Sequence, residues 1–355
     1  MPTDTLTGRA LRFGARLQKL DRWRHRPRRV QSRARRSAFY RTSWEQAAAS
    51  VGASISYLDD QLAEIRCGDS VLRVRGNVTS LDDPVTLSVA GNKSLVLRLF
   101  DEHGIPAPRH CCCRCDDLAA ALRFTSGLGR ACVVKPARST GGGQGITTGV
   151  RGRVALVAAM ARAGGYCNDL VIEEHVDGAN FRLLYLDGEL LDAVERRPPS
   201  VRGDGSSTLR RLIEAENAER ESRGIEVCQS FLNIDRELRQ TLRAAGRDLS
   251  YVPQPGETVQ LKHVVSENRR DDNMGATGRV CASLAQSGAQ AAAAVGARLA
   301  GVDVITADPS VPLAESGGVV VEVNTTPGFY YHYMTAGEPV PVALLILQQL
   351  CEPTP

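Results

Sequence analysis

Val133-Val134-Lys135-Pro136-Ala137-Arg138-Ser139-Thr140-Gly141-Gly142-Gly143-Gln144-Gly145 is the segment from which the rest of the chain is best read. An apolar run ends on a lysine, and a loop with four glycines and two hydroxyls follows. Glycines let backbone N–H groups crowd around phosphate oxygens and form an anion-binding hollow. The lysine adds a point charge. No Gly-Lys-Ser/Thr opens a following helix, so this is not a P-loop of the Walker kind. Taken alone, the segment also fits a flexible hairpin turn.

Two apolar segments further along carry acids. They are Gly301-Val302-Asp303-Val304 and Val321-Glu322-Val323-Asn324-Thr325-Thr326-Pro327-Gly328. Glu322 and Asn324 are two apart and therefore share one side of a strand. Asp303, Glu322 and Asn324 offer oxygen ligands only. That set suits Mg²⁺, which is usually held by one or two carboxylates with substrate phosphates completing its shell. Lysine usage points the same way. Among 44 basic residues only Lys19, Lys93, Lys135 and Lys262 are lysines. Where arginine supplies nearly all positive charge, a remaining lysine marks a place where a compact ammonium fits beside a phosphate better than a planar guanidinium.

Around these segments, Asn92 is an N-cap for a helix over 93–103, which Gly104 stops. Strands are predicted near 109–114, 131–135, 146–150, 170–176 and 181–186. Helices are predicted over 116–125, 151–163, 206–220, 234–245, 280–300 and 342–350. Buried strands are predicted at 302–306 and 319–323, a strand over 64–74, and loop then strand over 81–90. Alternating strands and helices give an α/β or α+β architecture.

The ordered set of segments resembles the ATP-grasp superfamily, and within it the ligase domain of cyanophycin synthetases and related peptide ligases. The carrying segments are Gly91-Asn92-Lys93-Ser94-Leu95 through Gly104-Ile105-Pro106-Ala107-Pro108 and Val134-Lys135-Pro136 with its glycine loop. Val171-Ile172-Glu173-Glu174-His175-Val176-Asp177-Gly178, Phe181-Arg182-Leu183-Leu184, Gly203-Asp204-Gly205 and the two acidic segments complete it. They cover residues 91 to about 350.

The resemblance implies a fold of two α+β subdomains gripping ATP, preceded by a small α/β lead-in and a basic arm. The expected division is 1–44 for the arm, 45–90 for the lead-in, 91–178 for the subdomain with the glycine loop, and 179–355 for the subdomain with the Mg²⁺ site and substrate pocket. It implies that Lys93 and Lys135 bind ATP phosphates and that Ser139, Gly141, Gly142, Gly143 and Gly145 close over them. Glu173, Glu174 and Val176 would lie along the adenine, with backbone groups of Glu174 and Val176 offered to it. Asn180 stands where the family has an acidic residue on the ribose. Asp303, Glu322 and Asn324 would hold Mg²⁺, as two ions that Mn²⁺ can replace. Arg182, Arg196 and Lys262 are the candidates for the acyl-phosphate and the substrate carboxylate. The implied activity is an ATP-dependent carboxylate–amine ligase acting on amino-acid or peptide substrates, in small-peptide or secondary-metabolite synthesis. An ATP-grasp phosphotransferase is the competing reading, with His332 and His263 as candidate phosphohistidines. So is an ATP-binding protein whose arm meets an anionic partner.

Some segments depart from the family. Ser266-Glu267-Asn268-Arg269-Arg270-Asp271-Asp272-Asn273 replaces the usual Asn-Leu-Ser-Thr-Gly-Gly near the acceptor, and Phe329-Tyr330-Tyr331-His332-Tyr333 either lines that pocket or packs in the core. The sequence ends at Pro355 without a Mur-ligase-like domain, so a polymerase of the cyanophycin kind is not expected.

Residues 1–41 carry twelve Arg and Lys19 against Asp4 and Asp21, a net of +11 in a chain of +4, so the remainder carries −7. Leu6, Ala10, Phe13, Leu17 and Leu20 recur at helical spacing, and Arg22 to Arg36 reads as solvated or partner-bound. Trp23 and Tyr40 are too few aromatics for base stacking, which argues against nucleic acid. Hydrophobic residues make up 43%, yet no run reaches the ~18–20 residues of a membrane helix, and no secretory signal is read. The ten cysteines show no disulfide-framework spacing, so a reducing cytoplasm is expected. Cys111, Cys112, Cys113 and Cys115 read as strand, because adjacent thiols point to opposite faces. A homo-oligomer is expected by resemblance.

Overall fold

The computed structural model describes residues 26–138 and 143–351. The helical pattern expected over Leu6–Leu20, and Ser139, Gly141 and Gly142 of the loop, lie outside the described residues. Helix α1 (Arg26–Val51) is followed by the meander β1 (Ser54–Tyr57), β2 (Leu62–Cys67), β3 (Ser70–Arg75) and β4 (Val78–Thr79), paired in that order. The arm boundary at 44 thus falls inside a helix. Its later turns carry Phe39, Tyr40, Trp44, Ala47 and Ala48 into the core, which anchors the charged turns before them. Arg35 Nη1 also donates to the Arg220 carbonyl at 2.7 Å, so part of the segment expected to be solvated is docked.

Helix α2 (Pro84–Ala90) replaces the strand expected after the loop at 81. Asp83 caps it, accepting from the Val85 and Thr86 amides, and Pro84 sits in the first turn where its missing N–H costs nothing. Helix α3 (Lys93–His103) begins at Asn92, as expected, and ends at Gly104 with φ +65°.

The first core sheet contains β5 (His110–Arg114), β6 (Cys132–Pro136), β7 (Thr147–Val150) and β8 (Asp169–Glu174) in the order β5-β8-β6-β7. Helices α4 (Leu118–Ser126) and α5 (Gly152–Gly164) pack against it, through Ala121, Leu156, Ala159, Met160 and Ala163. The second sheet contains β9 (Ala179–Leu186), β10 (Glu189–Arg196), β13 (Asn273–Gly275), β14 (Leu299–Thr306) and β15 (Val319–Asn324), in the order β13-β10-β9-β14-β15. Between β10 and β13 an inserted unit holds the ribbon β11 (Ser200–Arg202) and β12 (Thr258–Gln260), with helices α6 (Leu209–Arg223) and α7 (Arg236–Ala244). Every ladder is antiparallel. Of the two architectures left open by the sequence, the structure is therefore α+β.

Helix α8 (Ala282–Ala294) is shorter than the 280–300 expected. Gly296 takes a left-handed φ of +75°, which turns the chain, and Leu299-Ala300 already belongs to β14. Helix α9 (Leu313–Ser316) links β14 to β15, and the short α10 (Tyr330–Tyr333) precedes α11 (Val342–Cys351).

The second sheet is covered differently on its two faces. Phe181, Leu183, Tyr185, Val302, Val304 and Val320 pack under α3 and α8. On the other face Leu184, Leu186 and Leu299 meet Phe329, Tyr330, α1, α11 and the meander. That cover stops part-way along the sheet, and the polar residues begin where it stops.

Cys67 and Cys351 form a disulfide that ties β2 to α11, which runs against the reducing setting expected from the cysteine spacing. The other eight cysteines are free. Among the described residues, no helix is long and apolar enough to cross a membrane.

Candidate active site

Lys135, the penultimate residue of β6, has only 3% of its surface exposed. Its ammonium lies 2.5 Å from Glu173 Oε1 on the neighbouring strand. The contact lacks hydrogen-bond geometry, so this buried oxygen has charge compensation but no proper donor. Lys93 opens α3, and its backbone N–H donates to the Ala137 carbonyl at 2.9 Å. Its Nζ reaches 2.6 Å to Glu322 Oε1, across 229 residues of sequence. A lysine beside the glycine loop is thereby joined to an acid of β15.

Gly143 and Gly145, with φ of +76° and +79°, are needed for two reasons. Side chains rarely adopt that backbone. A Cβ on Gly143 would run into Val264, and one on Gly145 would come within 2.7 Å of Pro136 and 2.8 Å of Tyr166.

Register assembles the second half of the site. Glu322 pairs with Asp303, Asp303 with Arg182, and Arg182 with Val194. Directly paired residues project from one face of a sheet. The next row on that face is Asn324, Gly301, Leu184 and Asp192. Arg182 holds Asp303 through two bonds, Nε–Oδ1 at 2.6 Å and Nη2–Oδ2 at 2.9 Å, the fork-on-fork geometry of strong arginine–carboxylate pairs. Burial alone would raise the Asp303 pKa, but the Arg182 guanidinium overrides it and keeps the group below the usual carboxylate range. Asn324 Nδ2 adds a bond to Asp303 Oδ2 at 3.1 Å. Gly301 leaves room for this, since a Cβ there would sit 3.1 Å from Arg182 Cδ.

Arg196 is buried further along the same face. Its Nη2 donates to the Val265 carbonyl at 2.9 Å, its Cζ lies 4.4 Å from the Tyr331 ring centroid, and its Nε has no partner. Burial pushes its pKa down. Asn180 pairs with Arg196 and Ile305 at the edge of this group. Lys262 is held elsewhere: its Nζ lies 2.8 Å from Asp235 and 2.7 Å from Glu267, both in the inserted unit. Burial opposes its charge, but Glu267 and Asp235 outweigh that and raise its pKa to about 12.

The segment expected along the adenine comprises the end of β8 and the residues just after it. The Glu174 amide is taken by the Arg109 carbonyl and the His175 amide by the Ala131 carbonyl, each at 2.9 Å. The Glu174 side chain is paired with Arg109 Nε at 2.9 Å. Residues 262–267 run across to this region. Burial lowers the His263 pKa and nearby His175 adds to it, while Val264 fills the Gly143 turn.

The segments that depart from the family divide between core and site. Phe329, Tyr330 and His332 are wholly buried, and Tyr331 reaches Arg196. Asn268 is buried and donates to the Arg197 carbonyl and to Asn273 Oδ1, so it braces the strand carrying Arg196. Asp192 and its contact with His332 were not expected from the sequence. The alternation Asp192, Val194, Arg196 was a signal for both the strand β10 and its polar face.

Two lysines turned toward acids and an all-oxygen donor set fit a nucleotide triphosphate with Mg²⁺. A carboxylate has about four lone-pair sites, so Asp303 and Glu322 retain capacity beyond their present partners. Among the described residues, no group of three His, Cys, Asp or Glu forms a metal cluster, and Asn324 is needed to complete the set.

No family model matches the chain. Its sequence is 28% identical over 292 residues to a cyanophycin synthetase of Trichormus variabilis, covering 81% of this chain and 32% of that protein. It is 27% identical over 299 residues to a bifunctional glutathione-biosynthesis protein of Enterococcus faecalis, covering 81% and 39%. The chain thus spans about a third of the length of these curated relatives. The crystal structure of a bifunctional glutathione synthetase from Pasteurella multocida aligns with a TM-score of 0.57 at 24% identity, over 87% of this chain and 44% of that one. The fold is the ATP-grasp fold.

Proposed function

We propose that this ATP-grasp chain is an ATP-dependent carboxylate–amine ligase that joins amino-acid-like substrates through an acyl-phosphate, releasing ADP and phosphate. The observation that carries the reading is the Lys93–Glu322 contact of 2.6 Å, which brings a lysine beside the glycine loop onto the strand of oxygen donors. Similarity to cyanophycin synthetases supports the same substrate class.

In this reading Lys135, Lys93 and the amides around Gly143 and Gly145 hold the triphosphate, and Glu173 fixes Lys135. Glu174 and Val176 flank the adenine, Asn180 the ribose, and Ser139, Gly141 and Gly142 belong to the same loop. Asp303, Glu322 and Asn324 hold Mg²⁺, as two ions that Mn²⁺ can replace. Bound there, Mg²⁺ neutralises charge on the transferring phosphoryl group. Arg182 is fixed by Asp303 and turned to where the acyl-phosphate forms. Arg196, backed by Tyr331, takes the substrate carboxylate, and Lys262 supports the strap that carries Val264. That strap and the glycine turn exclude water, which would otherwise hydrolyse the intermediate. A cytoplasmic setting is carried over from the sequence reading, with the Cys67–Cys351 disulfide standing against it, and a homo-oligomer is carried over from the resemblance, to be checked by light scattering.

The test is ADP release with Mg²⁺-ATP and amino acids, singly and in pairs, with mass spectrometry of products. Release that depends on a pair and yields an amide mass is the expected result. A phosphorylated product with no amide would instead make the protein a phosphotransferase.

A further inference from the structure

Asp192 and His332 take part in neither the lysine contacts nor the acid strand, yet they lie on the sheet face that carries the site. Asp192 shares its row with Asn324 and stands two and four residues from Val194 and Arg196 on β10. His332 is wholly buried. Its Nδ1 lies 2.7 Å from Asp192 Oδ2, and Thr277 Oγ1 donates to Asp192 Oδ1. An ionised carboxylate only accepts, so Nδ1 carries the ring proton and Nε2 is left with a lone pair. That Nε2 is buried and has no partner. Buried polar atoms nearly always have one. A tether between α10 and β10 would need Nδ1 alone, and a Gln or Asn could supply it. The preceding residue, Tyr331, stacks on Arg196, whose Nε is the other unpartnered buried polar atom on this face. An unmet acceptor on His332 and an unmet donor on Arg196 are thus linked through the intervening residue Tyr331.

We propose that His332, oriented by Asp192, accepts the proton of the amine substrate in the ligation step. The inference rests on the ligase reading above. The amine arrives as an ammonium ion and gives one proton to Nε2. Its freed lone pair forms the C–N bond as the C–O bond to phosphate breaks, and phosphate leaves with that electron pair. The second proton of the attacking nitrogen departs with phosphate, leaving the neutral amide, and the imidazolium returns its proton to water after product release. Asp192 stabilises the imidazolium, while Arg182 and Arg196 disfavour it and speed its reversal. Burial, with those two cations, pushes the His332 pKa down, so the ring is neutral at neutral pH, the form a base requires.

His332→Asn keeps a donor near Asp192 and removes Nε2. The assay supplies the twenty protein amino acids with Mg²⁺-ATP, once with hydroxylamine as nucleophile and once in pairs. Hydroxylamine is unprotonated at neutral pH and needs no base. Expected is hydroxamate formation close to wild type, with amide formation down by about 10²–10⁴-fold at neutral pH and recovering as pH rises. Wild-type amide rates in this variant would overturn the proposal, as would an equal loss in both assays. The unmutated protein provides a check that does not depend on folding of a variant. At pH values where hydroxylamine stays unprotonated, amide formation must fall on acidification while hydroxamate formation does not, and a shared fall there overturns the inference. If the wild type gives ADP with neither nucleophile, the ligase reading itself fails, a result distinct from any of these.

Discussion

Lys135 on β6 and Lys262 beyond β12 are almost equally buried, at 3% and 2% exposure, but they are compensated differently. Lys262 faces two carboxylates, Asp235 and Glu267, at hydrogen-bonding distance. Lys135 faces one, Glu173, in a contact without hydrogen-bond geometry. A cation between two anions has no charge left to offer. A cation with one poorly aligned anion keeps donors for a further anion. The same residue type is therefore doubly paired in the inserted unit and singly paired in the first sheet.

The largest effects should come from the ligand-facing side. Lys135→Ala is expected to lower ATP turnover of the folded protein by about 10²–10³-fold, the size seen when one preorganised donor to a developing charge is removed, and to lower the thermal transition as well, because buried Glu173 loses its counter-charge. Glu322→Gln should cut turnover as strongly, because it removes the negative charge, and with it the ion pair to Lys93, and replaces one of two oxygen donors by an amide nitrogen. Full ADP release by either variant would break the comparison. The inserted unit should answer in stability. Lys262→Met leaves Asp235 and Glu267 facing each other, and a loss of about 3–5 kcal/mol in urea unfolding is expected, with turnover of the folded fraction nearly kept. Abolished turnover at unchanged stability would move Lys262 into the active site.

A subtler check uses pH. The folded pKa of Lys262, about 12, lies above the ordinary value of 10.5. Its contribution to stability is therefore fully present below about pH 10.5 and is lost as pH rises through 12. Alkaline unfolding of the wild type should show this loss, and Lys262→Met should lack it. The smallest effect is expected at Arg109, whose pair with Glu174 is half exposed. Arg109→Ala should cost under about 1 kcal/mol.

Much of the candidate site was legible because its residues sit where local rules are strict. Asn92 and Gly104 bracket α3 and so place Lys93 at its first turn. Glu322 and Asn324 share a face by strand alternation alone. Other features depend on packing that no local pattern encodes. Asp192 and His332 are 140 residues apart and meet only because α10 folds back on β10. The span 81–90 read as loop then strand because its apolar residues outweighed the Asp83-Pro84 start signal. The helix after 280 was drawn too long because alanines continue past Gly296, where the chain turns. The segment after β15 is held by Tyr40 of α1, whose hydroxyl accepts from the Phe329 amide, and by Asn77 of the β3–β4 turn, which donates to the Thr326 carbonyl.

The disulfide between Cys67 and Cys351 gives the molecule a covalent ring. Every strand of both core sheets, both lysines of the comparison and the whole inserted unit lie inside it. One backbone cut anywhere within the ring leaves a single molecule, whose two sides part only after a thiol is added. A nicked preparation would run as one species without reductant and as two fragments with it, so the position of a cleavage can be mapped from fragment sizes after reduction.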